Sequence, residues 1–160
     1  MSTHHLKFVL IPIVVIFIFA LCIETRYFVT PIAQHCGTES QLFDLKGEIF
    51  IELADTPATQ EKGLSGHKPL LPDEGMLFRF ESPGTKTFWM KEMLFSLDII
   101  WLDPEWRVLS YVENATPESY PALFRSPSNT QHVLEVNAGF VAERKVVAGD
   151  IGKLSPCTAN

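Results

Sequence analysis

Between Met76 and Asp103 the apolar runs are four to nine residues long, and the gaps between them carry turn chemistry. Runs of that length commit a chain to short strands. Met76 to Phe80 is followed by a Ser82-Pro83-Gly84 turn, then Thr87 to Met90, then Leu94 to Leu102. Asp103-Pro104-Glu105-Trp106 makes a tight connection into Arg107 to Glu113, so the last two strands are expected to form a hairpin. This stretch holds two of the three Trp and three of the four Met, which makes it the expected centre of the domain.

The flanking segments extend the pattern. Glu48 to Leu53 alternates, with Ile49, Ile51 and Leu53 on one face, as a half-buried strand does. Thr56-Pro57 reads as an N-cap followed by Pro at the first helical position, and Gly63 ends the turn, which predicts a short helix over 57–62. Pro69 and Pro72 mark a loop before Gly75, and Pro117, Pro121 and Pro127 mark a longer one over 114–129. His132 to Val136 predicts another strand, a helical turn is expected near Phe140 to Arg144, and Val146 to Ile151 closes the domain. The expected class is α+β, mainly antiparallel: a small, partly closed, β-barrel-like domain with short helices.

Ahead of it lies an apolar segment. Phe8 to Ile23 is uncharged and apolar throughout. Leu6 to Ile23 as a helix would be roughly 27 Å long, against a hydrocarbon thickness of about 30 Å. No small-x-small cleavage site follows, and Leu21 is too large for the position before a lipoprotein Cys22. The expected organisation is a cytoplasmic tail (1–5), a transmembrane anchor or signal segment (6–23), a tether (24–41), the β-rich domain (42–154) and a tail (155–160). Lys7 before the segment favours an extracytoplasmic domain, periplasmic or extracellular; secretion after signal cleavage is the alternative.

The net charge is −6, and beyond residue 30 there are 11 basic against 18 acidic residues with no basic run. Phosphate neutralisation needs the opposite balance, so nucleic acid is not an expected partner. No phosphate-binding glycine loop, dinucleotide fingerprint or nucleophile elbow is present, and no cofactor is expected. His35, His67 and His132 lack ligand spacing, so no metal is expected. Cys22 reads as a small apolar residue of the membrane segment. Cys36 and Cys157 flank the domain in a compartment expected to be oxidising, and they are expected to pair.

Two groups of residues carry candidate chemistry. Asp98 is an acid inside an apolar strand, on the face shared with Ser96 and Ile100, so it must be paired, hydrogen-bonded or protonated. It reads either as a structural Asp satisfying a turn or backbone group, or as a ligand-binding or catalytic acid, and Lys91 is a possible ionic partner. Phe88-Trp89-Met90 alternates and reads either as core or as an open aromatic groove with Lys91 and Glu74 at its rim.

Gly75-Met76-Leu77-Phe78, Phe88-Trp89-Met90-Lys91, Leu97-Asp98-Ile99-Ile100, Val133-Leu134-Glu135-Val136 and Gly149-Asp150 resemble the domain of unknown function 192 (DUF192). The likeness runs from about Ile49 to Ile151. Glu92 stands where that family has a small or amide residue, and Ser96 where it has Pro. The resemblance implies a small β-rich domain, frequently behind a secretion signal or anchor, and brings no activity with it.

Three functional readings follow. The first is a membrane-tethered extracytoplasmic binding module that holds a small molecule, glycan or peptide through Trp89, Met90, Lys91, Asp98 and Glu74. The second is a hydrolase using Asp98 with Glu92 or Glu74 as an acid/base pair. The third is a structural envelope protein. Geometry discriminates them, because an enzyme of this kind needs two carboxyls converging on one pocket.

Overall fold

The computed structural model describes residues 41–157. The tail, the apolar segment, the tether up to residue 40 and Cys36 lie outside the described residues. Among the described residues no helix is long and apolar enough to cross a membrane.

The element order is β1 (Gln41–Asp44), β2 (Glu48–Ala54), α1 (Pro57–Lys62), β3 (Glu74–Arg79), β4 (Thr87–Phe88), β5 (Leu97–Leu102), β6 (Val108–Ala115), a 3-10 turn (Pro117–Ser119), β7 (Phe124–Arg125), β8 (His132–Asn137), α2 (Phe140–Arg144) and β9 (Lys153–Pro156). Seven strands form one sheet in the order β6-β5-β8-β3-β2-β1-β9, and β4 pairs with β7 in a separate two-stranded ribbon. Every pairing is antiparallel except β2 with β3, which are joined by a crossover carrying α1.

The expected barrel-like closure is corrected: there is no closed barrel. The edge strands β6 and β9 approach each other through a single bridge, Arg107 to Ile151, just outside both strands. Two strands lie where no strand was expected. β1 reaches back to Gln41, and β9 runs into the segment read as a tail; the two pair with each other. Four residues are too few to display a period, and Lys-Leu-Ser-Pro is the polar, Pro-ended sequence of an edge strand. The strand expected from Leu94 starts at Leu97, and the one expected over Thr87 to Met90 ends at Phe88.

α1 forms where its caps predict. Thr56 Oγ1 accepts from Thr59 N at 3.2 Å, Thr59 Oγ1 accepts from Thr56 N at 3.0 Å, and Pro57 stands at the start. This reciprocal pair satisfies N–H groups that a helix start leaves free. The helix buries none of its own residues. Gln60 Nε2 ties it to the sheet by donating to Arg79 O at 2.7 Å.

Strand alternation sends side chains to both faces, and each face is covered. One face holds Phe43, Ile49, Ile51, Leu77, Ile100 and Leu134, with Phe140 and Val141 of α2 packed on them. The other holds Met76, Phe78, Leu97, Ile99, Trp101 and Val133, covered by Leu64, Met90 and Met93 from loops. Central strands buried on both sides read as continuous apolar runs. β5 fits: all six of its residues are buried. Gly75 in β3 has no room for a side chain, since a Cβ there would meet Glu135 O at 3.0 Å and Val136 Cγ1 at 3.1 Å.

Candidate functional site

Asp98 is fully buried on the α2 face of the sheet. Its Oδ1 accepts from Asn114 N at 2.8 Å, and its Oδ2 accepts from Gly139 N at 3.1 Å and Val141 N at 2.9 Å. Each donor has a local cause. The β5–β6 register shifts between Leu97 and Ile99, and Asn114 at that irregularity has a left-handed φ of 51°. Gly139, with φ 96°, turns the chain into α2. Asp98 thus takes N–H groups at a bulge and a helix entry and ties β5, β6 and α2 together.

The other residues named from the sequence are dispersed. Lys91 is exposed and lies 3.9 Å from Glu92, so the structure does not bring it to Asp98. The reason is local: after Phe88 the chain leaves the strand conformation, and Ser65 Oγ and Gly66 N donate to the carbonyls of Lys91 and Glu92 at 2.9 Å each. Glu92 is exposed, with a positive φ of 57°. Glu74 accepts from Leu71 N at 2.9 Å and lines an open cavity of about 540 Å³ together with Glu52 and His67. Met90 is core, and Trp89 is 46% exposed. The three carboxyls read as candidate acids, Asp98, Glu92 and Glu74, therefore sit in three separate environments and no pair of them is assembled. Among the described residues no group of three His, Cys, Asp or Glu is placed to hold a metal. Cys157 is disulfide-bonded, and Cys36, expected as its partner, lies outside the described residues.

What the fold does assemble is a cavity of about 270 Å³ on the face opposite α2. Its walls include Phe78 of β3, Phe88 of β4, Phe80, Trp89 and Met93, with Gln60, Lys62 and Ser65 supplying polar groups. The aromatic wall is held edge to face: Phe78 and Phe88 centroids are 4.9 Å apart at 86°, and Phe88 and Trp101 are 5.4 Å apart at 62°. These are favourable quadrupole arrangements and fix Phe88 in place.

Glu135 of β8 also lines this cavity. It is 5% exposed, and its cross-strand neighbours are Met76 and Ile99. Burial pushes its carboxyl up to about 8, so below that pH it is held uncharged. No hydrogen bond or ion pair to its carboxyl is made by any described residue. A buried carboxyl normally has a partner, and one without a partner beside a cavity is a candidate for ligand contact.

The chain over residues 40–152 matches the model of the DUF192 family, described as an uncharacterised conserved family. The chain belongs to that family. It is similar in structure to a protein of unknown function from Novosphingobium aromaticivorans, with 32% identity, a TM-score of 0.64, and coverage of 71% of this chain and 83% of that one. It is also similar to a protein from Sinorhizobium meliloti provisionally described as a transcription regulator, with 31% identity, a TM-score of 0.66, and coverage of 74% and 95%. No curated protein matches the chain.

In this DUF192 domain Asp98 and Glu135 bear the same sequence signature, an acid flanked by apolar residues in a strand. Of the two, only Asp98 is a candidate from the sequence alone. Leu97-Asp98-Ile99 and Leu134-Glu135-Val136 are alike in pattern, so the signal for Glu135 was present. Which acid had backbone donors waiting for it was not visible before the strands were paired.

Proposed function

We propose that this DUF192 domain is a binding module whose ligand is a small molecule seated over Glu135 against Phe88 and Trp89. The observation that carries the reading is the carboxyl of Glu135 at the cavity wall, which has no partner among the described residues. Burying such a group costs free energy, and a ligand that hydrogen-bonds or neutralises it returns part of that cost on binding. Apolar aromatic walls with few polar groups are the usual make-up of a small-molecule site. At about 270 Å³ the cavity suits one small molecule or one protruding group, such as a sugar ring or a peptide side chain, rather than an extended chain.

The acidic balance supports a ligand other than nucleic acid, whatever the description of the Sinorhizobium protein. The apolar segment at 6–23 would hold the module at a membrane with the domain on the extracytoplasmic side. The hydrolase reading has no carboxyl pair to rest on. A fragment titration of the full chain, followed by NMR, tests the site. Shifts are expected to cluster on Phe78, Phe88, Trp89, Met93 and Glu135. Shifts confined to the other cavity, around Glu52, His67 and Glu74, or spread over the surface, would rule this site out.

A further inference from the structure

Resting on that site, we propose that the ligand presents a cationic alkylammonium group, held between the aromatic rings of the cavity and the carboxylate of Glu135. The cavity combines the two elements that recognise such a cation and little else. Rings of Phe78, Phe80, Phe88 and Trp89 line it, and an aromatic face attracts a positive charge through its quadrupole. Alkylated ammonium groups gain most, because their methyl groups bury against the rings while the charge is shed from water at small cost. One of these rings already carries an ammonium: Lys86 Nζ lies 4.4 Å from the centroid of Phe80.

Glu135 supplies the counter-charge. It is buried on an apolar stretch of sheet between Met76 and Ile99, with no cation among the described residues paired to it. The other charged residues on the cavity wall are Glu61 and Lys62 of α1, exposed and opposite in sign; β3, β4 and β5 bring none to it. A neutral ligand would meet Glu135 as a protonated donor and leave it so. A cation converts it to a carboxylate, because an opposite charge nearby favours the ionised form. The proton balance is simple: cation binding below about pH 8 expels one proton from Glu135 to solvent. The cation's affinity must therefore rise with pH, up to tenfold per unit, and level off above about 8. A hydrogen-bonded neutral ligand must show the reverse trend.

The experiment compares choline with 3,3-dimethylbutan-1-ol, its uncharged carbon analogue, on the full chain between about pH 6 and pH 9. Calorimetry in buffers of different ionisation enthalpy reads the proton released, and NMR shifts of Glu135 and Trp89 locate the probe. Choline is expected to bind about tenfold or more tighter than the analogue at the upper pH, with proton release below it. Glu135→Gln should abolish both the preference and its pH dependence. Trp89→Ala, at a position 46% exposed, should weaken choline at every pH. Equal binding of both probes, affinity that falls as pH rises, or no binding of choline would overturn the cationic ligand. Of these, equal binding or a falling affinity with shifts still at Glu135 would leave the cavity itself standing as a neutral-ligand site. Its loss is decided separately by the fragment titration.

Discussion

Asp98 and Glu135 lie on neighbouring strands one register step apart, since Asp98 pairs with Val136 and Ile99 pairs with Glu135. Both are buried, and the alternation of the strands sends them to opposite faces of the sheet. On one face, α2 and the β5–β6 irregularity bring three N–H groups to Asp98. On the other, loops cover the sheet incompletely, and Glu135 meets a cavity and no donor among the described residues. Two buried acids of the same pattern thus differ in what the fold does with them. Asp98 organises the backbone, and Glu135 is left available. Burial alone does not mark a functional acid; burial without a partner among the described residues, next to open space, is what supports the role proposed for Glu135.

The sharpest way to break this comparison is to remove Asp98. Asp98→Ala leaves three N–H groups without their acceptor, that of Val141 buried and those of Asn114 and Gly139 part-buried, and a buried donor so orphaned costs about 1–3 kcal/mol. The expected loss is on the order of 3 kcal/mol, read from the midpoint of urea unfolding. A loss below about 1 kcal/mol would mean that water replaces the carboxylate and that Asp98 does not hold α2 in place.

Glu135 should behave in the opposite sense. Its folded-state pKa is raised to about 8, above the ordinary glutamate value of 4.5. The folded state therefore holds the proton more tightly, and the stability this contributes, complete below about 4.5, is lost as pH rises through 8. His132, lowered to about 4 chiefly by burial, works the other way: its contribution is lost as pH falls from about 6.5. Above pH 6.5 only the Glu135 effect remains of the two. The unliganded protein should lose on the order of 2 kcal/mol between about pH 6.5 and 8. Glu135→Gln should flatten that slope and be the more stable protein at the upper end. A wild-type slope already flat there would show that Glu135 has found a partner.

The smallest effect concerns Lys91. Lys91→Met should change stability by less than about 0.5 kcal/mol, as expected for one end of an exposed, loosely spaced ion pair. Combined with Asp98→Asn, it should be additive within about 0.5 kcal/mol. Strong coupling between the two would restore the ion pair that the structure does not make.

By itself the sequence determined the local devices. The Thr56-Pro57 cap and α1 and the hairpin around Asp103 to Trp106 follow from propensity and turn chemistry over a few residues. The functional weight of the two acids did not follow. Asp98 finds its donors 16, 41 and 43 residues further along the chain, and Glu135 owes its cavity to α1, β3 and the loops over 87–93. Only tertiary structure decided them, because a carboxyl's role depends on which donors and how much empty space surround it. Both are set by distant segments that strand order brings together, and no periodicity in the local sequence reports them.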